Sequence, residues 1–117
     1  MTEEKETRRA RRRRVAEQIT VTDMMAETVI GRLVNVSETG MLMMAAVPLQ
    51  DDALYQFRFA IPGPGGQPVA LDVGAHLLWH EESNAPGQDW IGFRFLTLSK
   101  EHRDLLKAWV DQETSAT

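Results

Sequence analysis

The sequence predicts an all-β domain of about six antiparallel strands, closed as a barrel or sandwich, with one C-terminal helix and a flexible basic N-terminal arm. Three observations carry this expectation. Short runs rich in Val, Ile, Thr and aromatic residues alternate with turn signals of Gly, Pro, Asn and Asp through the middle of the chain. Helical spacing of apolar residues occurs only near the end, where Leu105, Leu106, Trp109 and Val110 fall on one side. Ahead of the first strand lie six arginines within residues 8–14, with no apolar stripe that would dock a helix.

The elements follow in order. Residues 18–23 and 27–36 read as two strands, Ile19 and Val21 alternating in the first, with a connection short enough for a hairpin. Asn35-Val36-Ser37-Glu38-Thr39-Gly40 is a turn signal, and the apolar run 41–47 after it makes a strand, turn, strand unit. Residues 48–52 break the pattern. Residues 54–61 place polar Gln56 and Arg58 between aromatic neighbours, the period of a half-buried strand, and Pro62-Gly63-Pro64-Gly65-Gly66 is a loop. The last two strands are 69–80 and 90–96, joined by a polar segment containing Pro86 and Gly87. Ser99 is the expected N-cap of a helix over 99–113. The expected organisation is an arm over 1–14, a barrel domain over 15–113 and a tail over 114–117.

Composition narrows the function classes. A length of 117 residues suits one domain with one core, and 43% apolar with 26% charged residues is ordinary for a soluble protein. There is no cysteine, which removes disulfides, thiolate catalysis and cysteine zinc sites. No apolar run approaches the roughly 18 residues of a membrane span, so a cytoplasmic protein without membrane insertion is expected. Residues 1–14 hold seven basic against three acidic side chains, so the arm carries +4 and the remainder -8 of the total -4. A basic arm on an acidic body favours a small anionic ligand over DNA or RNA, which would call for a basic face on the body as well. No Walker loop, nucleophile elbow or zinc signature is present, and a non-enzyme is expected.

Two features carry chemistry. Guanidinium groups recognise phosphate through a planar fork of donors. Arg8 with Arg12 and Arg9 with Arg13 give two registers of an R-x-x-x-R clamp, although a charge run is also read as a solvated or localising tail. In the turn, Asn35 and Ser37 have side chains that bond backbone or ligand, and Gly40 allows a positive φ or a close ligand approach; an ordinary turn is the plainer reading. Trp79 serves either core packing or an aromatic surface. His76 and His80 fall about 13 Å apart on a strand, at ~3.3 Å per residue, too far to share a metal.

In combination these features resemble the PilZ domain family, whose members carry R-x-x-x-R ahead of a barrel and (D/N)-x-S-x-x-G at a strand turn. Residues 92–99, Gly-Phe-Arg-Phe-Leu-Thr-Leu-Ser, are similar to the family's closing strand as it enters the C-terminal helix. The resemblance implies a PilZ-type barrel and cyclic di-GMP as ligand, with a downstream protein partner. It implies Arg9 and Arg13 on phosphate and guanine with Arg14 in support, Asn35 and Ser37 at the ligand, Gly40 shaping the turn, and Trp79 as an aromatic surface near guanine. The family's second arginine often precedes an apolar residue, which here is Arg14 before Val15, whereas Ala10 lies four residues before Arg14. The competing functions are a PilZ protein-interaction module without nucleotide and a small RNA- or single-stranded-DNA-binding barrel.

Overall fold

The computed structural model describes residues 11–116. Among the described residues there are seven strands, β1 (Arg13–Arg14), β2 (Thr20–Asp23), β3 (Thr28–Val36), β4 (Gly40–Ala45), β5 (Leu54–Pro62), β6 (Pro68–Glu82) and β7 (Asp89–Thr97), followed by α1 (Lys100–Ala116). All pairings are antiparallel, in the order β1-β3-β2-β5-β6-β7-β4, and β4 also pairs with β3. That last pairing closes β2 to β7 into a six-stranded barrel. The expected strands are all found, with ends shifted by a few residues.

Alternation places the core. In β5, Phe57, Phe59 and Ile61 are buried while Gln56, Arg58 and Ala60 face out. Leu33, Met41, Met43, Leu71, Val73 and Leu77 fill the barrel beside them. The Phe57 and Phe93 rings meet edge to face at 5.0 Å, across the interior. The β2–β3 connection is held by Asp23, whose Oδ1 accepts the amides of Met25 at 2.9 Å and Ala26 at 3.3 Å.

Ser99 caps α1: its hydroxyl accepts the His102 amide at 3.1 Å. Leu106, Trp109 and Val110 are buried, so the helix covers one opening of the barrel with the face its spacing predicted. The helix continues past residue 113, to Ala116. None of the described helices is long and apolar enough to cross a membrane.

The arm differs from expectation at its end. Arg13 and Arg14, expected in the unpaired arm, form β1, with Arg13 opposite Val36 and Arg14 opposite Asn35. The reason is Val15, which packs against the core and donates its amide to the Val34 carbonyl at 2.9 Å, drawing the preceding residues onto β3. There the Arg13 guanidinium lies over the Trp109 ring, 4.2 Å from its centroid.

Candidate functional site

A shallow pocket of about 220 Å³ opens on the outer wall where the residues around β1 meet β3, β4, β6 and β7. Its polar end is Arg12 and Asn35; its apolar end is Leu42, Leu78 and Trp79, with Gly92 in the floor. Arg12 Nη1 donates to Asn35 Oδ1 at 2.7 Å, which leaves the Asn35 amide nitrogen as a donor. Arg12 is exposed, yet desolvation by its neighbours lowers its pKa, and among the described residues no carboxylate pairs with it. A guanidinium partly stripped of water and lacking an acidic partner attracts an anion.

The apolar end is built by a bulge. The β6–β7 register shifts between Leu77 and Trp79, so Leu78 and Trp79 turn outward, 52% and 47% exposed. The indole lies against β7 at Gly92, where any Cβ would collide with the ring. Trp79 is therefore a surface platform, and the core-packing alternative is set aside. An exposed aromatic plane beside a cation offers a stacking face and a phosphate donor within one pocket.

The other expected site residues are divided. Arg9 lies outside the described residues. Arg14 is exposed on β1, opposite Asn35. Arg13 points away from the pocket, its Cζ 4.2 Å from the Trp109 ring centroid and its Nη1 bonded to the Trp109 carbonyl at 2.6 Å. Ser37 is fully buried, and its hydroxyl accepts the Thr39 amide at 3.1 Å and contacts the Thr39 hydroxyl at 3.0 Å. The Ser37 amide donates to the Gly40 carbonyl at 2.8 Å. Gly40 has neither a positive φ nor an open approach; it is required because a Cβ would strike the Phe93 carbonyl of β7.

Asn35 and Trp79 thus meet in one pocket, while Arg13, Ser37 and Gly40 are engaged by the fold. Arg12 is the residue that the preferred register passed over. A signal for it was present: Val15 faces the core, so alternation turns Arg13 inward and Arg12 and Arg14 outward. On another side of the chain, a cleft of about 270 Å³ sets Arg11 and Lys107 against Glu38 and Asp111, a mixture with no preference for either sign. His76 and His80 bond Asp52 and Asp51 respectively, each at 2.6 Å, and among the described residues no group of three or more His, Asp and Glu could hold a metal.

Comparison with known proteins gives the following. The family model of the PilZ domain matches residues 6–112. The Bacillus subtilis inhibitor of motility, MotI/DgrA, superposes with a TM-score of 0.77 at 9% identity, over 92% of this chain and 51% of that one. Escherichia coli YcgR in complex with c-di-GMP gives 0.67 at 21% identity, over 92% and 46%. The PilZ domain of YcgR with c-di-GMP gives 0.67 at 20% identity, over 92% of both chains. The chain therefore spans about half the length of the first two. A search of curated protein sequences found no match.

Proposed function

The chain belongs to the PilZ domain family, and from that premise we propose that it is a receptor for cyclic di-GMP acting as an adaptor, not an enzyme, in the cytoplasm. The observation that carries the reading is the Arg12 guanidinium, without an acidic partner among the described residues, in one pocket with the exposed Trp79 indole and the Asn35 amide. Phosphate would meet Arg12 and Arg14, one guanine would lie on Trp79, and Asn35 would bond its edge. That YcgR is solved with c-di-GMP on the same fold supports the choice of nucleotide.

This reading assigns the R-x-x-x-R clamp to the register of Arg8 and Arg12. Arg9 and Arg13 form the other register, in which Arg13 would have to leave Trp109 before it touched a ligand. Binding changes the surface around the arm, and that altered surface is what a protein partner would recognise.

Titration calorimetry with cyclic di-GMP tests the reading and gives the stoichiometry, with tryptophan fluorescence, from which the Trp79→Phe signal is subtracted, as a second readout. Saturable heat with quenched indole emission is expected, with linear GMP and cyclic AMP far weaker. Arg12→Ala should weaken binding roughly tenfold or more, a loss of about 1.4 kcal/mol or greater, as for a charge-assisted contact. Absence of heat with the unaltered chain would leave a PilZ interaction module that binds no nucleotide.

A further inference from the structure

We propose that Arg13 is a positioning residue that couples the pocket to the C-terminal helix through Trp109. The proposal rests on the cyclic di-GMP reading above. It starts from the brevity of β1, whose two residues are too few to hold a strand in place by pairing alone. The Arg13 guanidinium supplies the missing anchor. It stacks 4.2 Å from the Trp109 ring centroid, donates to the Trp109 carbonyl at 2.6 Å and reaches Glu17 at 3.4 Å. Its side chain is only 15% exposed, and among the described residues its buried Nε has no hydrogen-bond partner. A cation so enclosed is committed to the ring it covers, and leaving Nε without an acceptor is a cost that this stack offsets.

Fixing Arg13 fixes its neighbours. Successive residues of an extended chain face opposite ways, so with Arg13 held inward on the helix, Arg12 is presented outward to Asn35. Trp109 is 2% exposed and belongs to the buried face of α1, so the contact ties the segment carrying the ligand's cation to the element that covers the barrel opening. Coupling between two sites is reciprocal. Fastening β1 to α1 strengthens ligand binding, and ligand on Arg12 fastens α1.

The test uses the full chain and cyclic di-GMP. Arg13→Ala and Trp109→Leu should each weaken binding by roughly tenfold, within the usual range of coupling between sites, although Trp109 lies outside the pocket. The double variant should bind about as well as either single one, because both remove the same contact. Trp109→Phe, which keeps a ring in the core, serves where Trp109→Leu fails to fold, with a smaller loss in the same direction. Saturating ligand should slow amide exchange in α1 of the unaltered chain and leave it unchanged in Arg13→Ala.

Additive losses in the double variant would overturn the proposal, since they mean that Arg13 and Trp109 act on the ligand independently. So would helix exchange indifferent to ligand in the unaltered chain. Arg12→Ala separates the two readings: if it weakens binding while the Arg13 and Trp109 variants bind normally, the coupling fails and the pocket stands. An unaltered chain that binds no cyclic di-GMP overturns both.

Discussion

Ser37 and Asn35 sit two residues apart, at the end of β3 and in the turn that follows, and take different roles, because the first is buried against Thr39 and Gly40 of its own turn and the second lines the pocket. Ser37→Ala removes the acceptor of the Thr39 amide inside a buried turn, so it should lower stability by about 1–2 kcal/mol in urea unfolding. Its affinity for cyclic di-GMP should change little once the protein is folded. Asn35→Ala should do the reverse, leaving the unfolding midpoint nearly unchanged and weakening the ligand by about tenfold, or ~1.4 kcal/mol, in calorimetry. The sequence located this turn through its Asn, Ser and Gly but did not tell which of them serve the backbone. Gly40, which closes the turn, packs against Phe93 of β7, a contact between residues about fifty positions apart that the local sequence does not announce.

Among the elements, β6 and β7 shape the pocket. Strand alternation made both legible, but the bulge after Leu77 was not, since it depends on Gly92 of the partner strand accepting an indole where a side chain would stand. Gly92→Ala should push Trp79 off β7, changing its fluorescence and weakening the ligand, with about 1–3 kcal/mol of lost stability from the forced contact. Across β5 and β6, Arg58 donates to both Asp72 oxygens, at 2.6 and 3.2 Å. The hydrogen bonds from Arg58 hold the Asp72 carboxyl below its ordinary value of 3.8. A carboxyl more acidic in the folded chain stabilises it above the unfolded value, and that contribution is lost as the pH falls through the folded value. Asp72→Asn should therefore lower stability slightly at neutral pH, only slightly because both side chains are half exposed, and leave it unchanged well below about pH 4, which flattens the acid limb.

For the whole molecule, the barrel and its covering helix were legible because period-2 runs, turn residues and one helical stripe agree with one another. The docking of β1 was not. It depends on Arg13 meeting Trp109, ninety-six positions away, and no local pattern announces such a pair. Cyclic di-GMP at a hundredfold its dissociation constant should add about 2.7 kcal/mol to folding stability, seen as a rise of roughly ten degrees or more in the melting midpoint that grows with ligand concentration. A midpoint that stays constant across the titration would count against the receptor reading at this scale.

The contact between Arg13 and Trp109 also brings together the strand that opens the described chain and the helix that closes it. In its connectivity the domain is close to a ring. Splicing those two ends through a short flexible linker and cutting at the exposed Pro64–Gly66 turn would keep every ladder of the barrel, so the permuted chain should fold. The same contact sets the strand by which the described chain enters the barrel beside the helix by which it leaves, the arrangement that suits a domain carried in a surface loop of another protein.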